Sequence, residues 1–447
     1  MSNSPETLQS LAAKVTELSA SFTKFLEQNK IPHPTFEADS PTSYEGITPE
    51  AFVLRQKLLD SLQDMWYLAQ GPSESIFNYV HNSMPDVAVL NILNHFNFWD
   101  AVPLVGSADH ATIAKHTSLP QEVVERVLEH ATTLRLFAEV TPGRPASGVR
   151  HTSRSAALAK NTGLRALVAT LLDDAGPPMT VINRALEQHC KGQTELSQDM
   201  TKTAFAVLHN NDGPLGRYKN SWDYIENDGE GEKKGWRSRN FVTFMNYLKD
   251  IFRLEQVVLD AYDWKAAGDI SVIDLGGSGG HDDFALAKAY PNLKITVQDL
   301  PEVEPVFTAN RPAELASRVT FHAQSFFEPQ ALSADVYMFK LILHDWPDKE
   351  SVQILQALRP SLKRGARVLF IDYVGKQGEQ EGEPLPRSIQ QMGTSTDIRM
   401  MALFATKERP VKAWEEIFHK ADERFEIVRV EANPMTFFVI IEAVWQG

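Results

Sequence analysis

The chain has 447 residues, 43% hydrophobic and 23% charged, the balance of an ordinary globular protein with room for two or three domains. A formal charge of −14 argues against nucleic acid, whose phosphates call for a surplus of lysine and arginine. One cysteine, Cys190, excludes an internal disulfide framework and a cysteine-based metal site, so no metal is expected.

No apolar run approaches the roughly 20 residues of a membrane span. The opening MSNSPETLQS lacks the basic and apolar regions of a signal peptide, so the expected compartment is the cytoplasm. Leu8, Leu11, Val15, Leu18, Phe22 and Phe25 then fall three and four apart, a seam too short for a free coiled coil. That helix should dock either on its own chain or on a second subunit. Residues 30–50, rich in Pro, Ser and acid, read as a linker. A second helix, Ala51 to Ala69, meets a stop at Gly71-Pro72.

From Val87 the pattern sharpens. Helices are expected at Val87 to Phe98, Ala108 to Lys115 and Gln121 to Leu134, the last with Val123, Val124, Val127 and Leu128 on its apolar face. Phe137 to His151 could then form a two-stranded wing. A winged helix suggests DNA, but its third helix presents Glu122, Glu125 and Glu129 against a single Arg126. Subunit contact is the better reading. Helical segments continue through Phe205, and residues 209–240, polar and glycine-rich, read as a long surface excursion or lid-like loop. An amphipathic helix from Phe241 to Asp260 leads into the last region. The expected divisions are 1–80 (helices and linker), 81–240 (helical, winged helix) and 241–447 (α/β).

The last region opens with ISVIDLGGSGGHDDFALAKAYPNLKITVQDLP, a strand, glycine-rich turn, helix and second strand. Ser271 to Leu275 is short and apolar, as a buried parallel strand should be. Asp299 ends the second strand, placed to accept hydrogen bonds from a ribose diol. Further strands are expected at Val319 to Ala323, Asp335 to Lys340 and Val368 to Asp372. Phe425 to Val430 and Met435 to Val444 are separated by only a few residues, which forces an antiparallel hairpin.

The turn fails the G-x-G-x-x-G dinucleotide pattern twice, at Ser278 and His281, and no phosphate-binding G-x-x-x-x-G-K-[ST] loop is present. It comes near the D-x-G-x-G-x-G turn of methyltransferases that use S-adenosylmethionine (SAM), with Ser278 replacing the middle glycine. The terminal hairpin agrees with that reading.

The run from AYDWKAAGDISVIDLGG to VQDLPEV resembles the cofactor region of the plant and fungal small-molecule O-methyltransferases. FKLILHDWPDKES and DIRMMALFATKERPVKAWEEIF are similar to the same family's catalytic and substrate-lining segments. The resemblance implies a Rossmann-like SAM-methyltransferase sheet behind a winged-helix domain that builds a homodimer. It places SAM at Gly276, Gly277, Asp299, Leu300, Ser325, Phe326 and Lys340, although the family often has an acid where Ser325 stands. It makes His344 the general base, with Asp372 and Glu408 as acidic partners. It also sets Met400 and Met401 beside a small hydroxylated acceptor, expected to be a phenolic secondary metabolite of aromatic or polyketide type. The rival reading is a SAM-binding pericyclase of the same fold that transfers no methyl.

These residue types suit the chemistry. The leaving thioether takes no proton, so only the acceptor needs activation. A phenol near pKa 10 facing a histidine near 6.5 is uphill by about 5 kcal/mol. Carboxylates that stabilise the imidazolium would narrow that gap. Asp282 and Asp283 open a helix, where acids are favourable on dipole grounds, but sequence offers no function for them.

Overall fold

The computed structural model describes residues 5–210, 214–252, 254–373, 385–433 and 438–447. These form two compact units. One takes in Met1–Pro177, Asp228–Tyr247 and Leu385–Gln390; the other takes in Pro178–Asn227, Leu248–Pro384 and Gln391–Gly447.

The first unit is helical. Helix α1 (Leu8–Gln28) is capped by Thr7, and α2 (Pro49–Gln70) by Thr48. Of the expected seam, Leu11 and Phe22 are buried, and Phe22, Phe25 and Leu26 pack with Tyr44, Ile47 and Leu54. The C-terminal part of the seam therefore packs on its own chain, while Leu8 is 45% exposed. Gly71, at φ 78°, ends α2 as expected, yet the chain re-enters a helix at once: α3 spans Pro72–His95. Pro72 suits the first turn, where no N–H is needed. Pro85 lies inside α3, which begins fifteen residues before the expected start at Val87.

Helices α4 (His110–Thr117) and α5 (Gln121–Thr133) precede a ribbon in which β1 (Phe137–Glu139) pairs antiparallel with β2 (Val149–His151). On α5 the buried stripe is Val124, Val127, Leu128 and Ala131, while Val123 is 39% exposed. Val123 lies about 100° round the helix from Val124, so it misses the face expected to hold it.

The second unit carries a seven-stranded sheet in the order β5-β4-β3-β6-β7-β9-β8. Its strands are β3 (Ser271–Leu275), β4 (Lys294–Asp299), β5 (Val319–Ala323), β6 (Val336–Lys340), β7 (Arg367–Tyr373), β8 (Phe425–Asn433) and β9 (Phe438–Trp445). The pairs among β3, β4, β5, β6 and β7 are parallel, while β9 runs antiparallel to both β7 and β8. The expected hairpin is there; Pro434 and Met435, assigned to its turn and second strand, lie outside the described residues.

Apolar residues cover both faces of the sheet. Ile273, Val368 and Phe370 pack with Ile354, Leu355, Trp414 and Phe418 on one side. Val272, Leu369 and Ile371 pack with Val258, Trp264, Phe284 and Leu286 on the other. Alternate residues of a strand thus serve opposite layers.

Among the described residues, the stretch 214–240 is not a free excursion. A short helix, Ser221–Asn227, buries Ser221 and Tyr224. The Ser221 hydroxyl donates to the Leu403 carbonyl at 2.6 Å, and Tyr224 packs on Phe205 and His209 with ring centroids 5.6 and 4.9 Å away. A few aromatic anchors outweigh the polar composition that made the stretch read as loop. The following helix, α6 (Trp236–Phe252), begins five residues before the expected start.

Candidate active site

Parallel strands deliver their carboxyl ends to one edge of a sheet, and the strand order reverses between β4 and β6 on either side of β3. Ligands bind at such a crevice in open α/β sheets. Here that edge receives the turn after β3, Asp299 at the end of β4, Lys340 at the end of β6 and Asp372 near the end of β7.

The turn is built for close approach. Gly276 has φ 79°, and a Cβ there would stand 2.4 Å from Cδ1 of Ile342. A Cβ on Gly277 would stand 2.6 Å from Oδ2 of Asp274. Ser278, the residue in place of the middle glycine, takes a left-handed backbone with φ 51°. Its N–H donates to Oδ2 of Asp299 at 2.9 Å, which holds it there, and the Leu300 N–H donates to Oδ1 at 2.7 Å. Burial pushes the Asp299 carboxyl up, against the pull of those two N–H groups. Each oxygen keeps a second lone pair, so a diol could still be accepted. Helix α7 (His281–Ala289) then starts with its N-terminus at the turn. A cradle that excludes side chains, a helix N-terminus and a carboxylate on the next strand fit an adenosyl cofactor with a methionine tail.

His344 sits in a short turn, Leu343–Asp345, just past β6. Its Nδ1 lies 3.2 Å from Glu408 Oε1 and 3.8 Å from Asp372 Oδ1, and its Nε2 lies 3.5 Å from Asp345 Oδ1. The Asp372 and Glu408 side chains are fully buried. Asp372 also accepts the His344 backbone N–H at 3.3 Å, and the Glu408 N–H donates to Asp397 at 2.7 Å. Burial alone would lower the imidazole's pKa. The charges of Asp372, Asp345 and Glu408 outweigh it, and His344 is held well above its ordinary value. Burial likewise pushes Asp345 up to about 7.

The predicted trio therefore comes together, although its members lie far apart in sequence. Asp345 was missed as a fourth member. It reads as a helix-start acid, and only the tight turn after β6 brings its carboxylate back to the ring of its neighbour. Asp348, the other acid in that stretch, does open a helix, α8 (Asp348–Ala357), and pairs with Arg409 at 2.7 Å.

The remaining predicted residues have the following surroundings. Phe326 approaches the glycine turn, its Cε1 3.8 Å from the point a Cβ on Gly276 would occupy, and it meets Trp346 edge-on. The Ser325 hydroxyl caps its own loop by accepting the Phe327 N–H at 3.2 Å. Leu300 is 44% exposed. Lys340 makes an ion pair with Asp282 at 2.6 Å. Met400 and Met401 lie on helix α9 (Arg387–Phe404), Met400 buried and Met401 half-buried. Successive helical positions are about 100° apart, so the two leave the helix in different directions.

A sheet of this topology, a glycine-rich turn at its switch point and a buried His–carboxylate cluster beside it are the architecture of the class I SAM-dependent methyltransferases. The O-methyltransferase domain family matches residues 221–423. O-methyltransferase lcsG of Purpureocillium lilacinum is 43% identical over 446 residues, covering 100% of this chain and 95% of that protein. O-methyltransferase AMT9 of Alternaria alternata is 31% identical over 449 residues, covering 98% and 97%. The chain belongs to the O-methyltransferase family of fungal secondary metabolism, and it is a SAM-dependent enzyme.

Among solved structures, OxaC with sinefungin and meleagrin superposes with a TM-score of 0.75 at 20% identity, covering 98% of each chain. LepI with SAM gives a TM-score of 0.66 at 20% identity, covering 97% of this chain and 100% of that one. These two likenesses establish the fold. When bound, SAM supplies an electrophilic methyl group; accepting the hydroxyl proton falls to the protein.

Proposed function

We propose that the acceptor is a phenolic hydroxyl of a small aromatic or polyketide-like metabolite, and that His344 removes its proton. The observation that carries this is the placement of three carboxylates within 3.8 Å of the imidazole. With Nδ1–H donated to Glu408, Nε2 is left with the lone pair that a hydroxyl proton needs. The carboxylates stabilise the imidazolium that forms, which offsets much of the uphill transfer from a phenol. A positioned base of this kind contributes about 10²–10⁴-fold. Asp299 and the turn at Gly276 and Gly277 bind the cofactor in this reading, with Leu300, Ser325, Phe326 and Lys340 around it, and Met400 and Met401 lie beside the acceptor.

The test is methyl transfer from labelled SAM to a panel of small phenols, read by mass spectrometry. The expected result is a gain of one methyl that disappears in His344→Ala while SAM still binds. A His344→Ala enzyme that methylates at the wild-type rate would remove the histidine from the mechanism. A wild-type enzyme that binds SAM, methylates no phenol and instead rearranges a polyene would support the pericyclase reading.

We also infer a cytoplasmic homodimer built through the helical unit. Trp66 on α2 and Ile76, Phe77, Tyr79, Val80 and Met84 on α3 are each 61–69% exposed, far more apolar side chain than a lone subunit ordinarily leaves in water. Among the described residues no helix is long and apolar enough to cross a membrane, which leaves a second copy as the cover this reading favours. Sedimentation should give twice the chain mass; a monomer at micromolar concentration would oppose it.

A further inference from the structure

Behind the glycine turn lies a second group of ionisable side chains that methyl transfer does not call upon. Asp283 is 0% exposed, and neither carboxyl oxygen has a hydrogen-bond partner among the described residues. Its near neighbour is another buried acid, Asp274, 4% exposed at the end of β3. The surrounding cations are committed elsewhere. Lys340 on β6 and Lys249 on α6 both reach Asp282, at 2.6 and 3.5 Å. His281, at the start of α7, is pushed down by burial towards its neutral form.

Two adjacent buried carboxyls whose nearby described lysines both pair with Asp282 cannot both be ionised. Two carboxylates cannot hydrogen-bond each other either, since both only accept. One proton resolves both conflicts. We propose that Asp283 carries that proton, donates it to Asp274, and so acts as a positioning residue for the cofactor turn. The bond ties the first turn of α7 to the end of β3, bracketing Gly276 to Gly280 from both ends. It also fixes the Asp274 carboxylate against Gly277, whose missing Cβ leaves the room that carboxylate fills.

The titration directions agree with the geometry. Burial, with the charge of Asp282 adding to it, pushes Asp274 up to about 7. Burial and the charges of Asp274 and Asp282 hold Asp283 well above the ordinary carboxylate range, and Lys249 offsets this only in part. Loss of the shared proton at alkaline pH would set two carboxylates against each other beneath the turn and weaken cofactor binding.

The test rests on SAM dependence and uses the full chain. An infrared spectrum of the ligand-free protein at pH 7 is expected to contain protonated-carboxyl C=O absorption that loses one carboxyl's intensity in Asp283→Asn. Calorimetry with SAM follows. Asp283→Asn, whose amide N–H can still donate to Asp274, should keep its affinity within about threefold. Asp283→Leu should lose about tenfold or more through the unsatisfied acceptor. The alkaline weakening of SAM binding seen in wild type should vanish in Asp283→Asn.

An unchanged carboxyl band in Asp283→Asn would overturn the proposal, as would an alkaline limb that persists in it. If Asp283→Leu does not fold, the Asn variant decides alone. Failure of the wild type to bind SAM at any pH would instead count against the cofactor assignment, and the infrared band is read without SAM.

Discussion

Two buried acid clusters lie at the same edge of the sheet and handle protons in opposite ways. Around His344, three carboxylates surround one imidazole, with Glu408 and Asp372 on the Nδ1 side and Asp345 on the Nε2 side. Behind the turn, Asp274 and Asp283 are sealed from solvent, and the nearby lysines are drawn to Asp282. The first cluster raises the basicity of an imidazole that, in the proposed mechanism, exchanges its proton at every turnover. The second raises the affinity of a carboxyl for a proton that never needs to leave. Burial is common to both, so it does not separate the roles. What differs is the identity of the nearest partner: an ionisable ring in one case, a second acid in the other.

That contrast can be broken in several places. The largest effect is expected from His344→Ala, which should lower kcat about 10²–10⁴-fold in the methyl-transfer assay. SAM affinity measured by calorimetry should stay within about threefold, since the proposed mechanism gives the imidazole a role on the acceptor and none on the cofactor. Asp299→Ala should do the reverse. It removes the carboxylate that holds Ser278 in its left-handed backbone, so SAM affinity should fall about tenfold or more. Unchanged affinity would mean the turn holds itself.

A smaller effect concerns stability. The Asp283 carboxyl is raised in the folded state, so its contribution is fully present below the unfolded value of about 4 and is lost as pH rises through the folded value. Asp283→Asn cannot lose a proton. Its melting temperature relative to wild type should therefore climb between pH 5 and pH 9; a constant difference across that window would argue against a buried proton. The smallest effect is expected at the solvated end of the scale. Arg126→Ala removes the 2.5 Å pair with Glu122 on α5, both side chains more than 70% exposed, and should cost less than about 0.5 kcal/mol in denaturant titration.

Much of the fold could be read from sequence because its signals are local. β3, its glycine turn, Asp299 and the terminal hairpin each declare themselves within a few residues. So does the LHDW stretch that carries His344. What escaped reading depended on the order of strands. Asp282 finds Lys340 because β6 is the neighbour of β3 in the sheet, a pairing of residues 58 apart in the chain. Asp345 escaped for the opposite reason: it is so close to His344 in sequence that only the tight turn between β6 and α8 reveals that its side chain returns to the ring. Val123 and the segment 209–240 misled because composition describes an average, while exposure is decided by angle around a helix and by a few anchoring aromatics.

The central claim is that carboxylates hold His344 well above its ordinary value, so the free enzyme carries an imidazolium that must lose its proton before it can accept one from substrate. The pH dependence of kcat/KM in wild type and in Glu408→Gln tests this directly. The wild-type rate should rise with pH through an ionisation clearly above 6.5, and the same limb should move to lower pH once the Glu408 charge is gone. A limb at the ordinary histidine value in wild type, or one that does not move in Glu408→Gln, would contradict it.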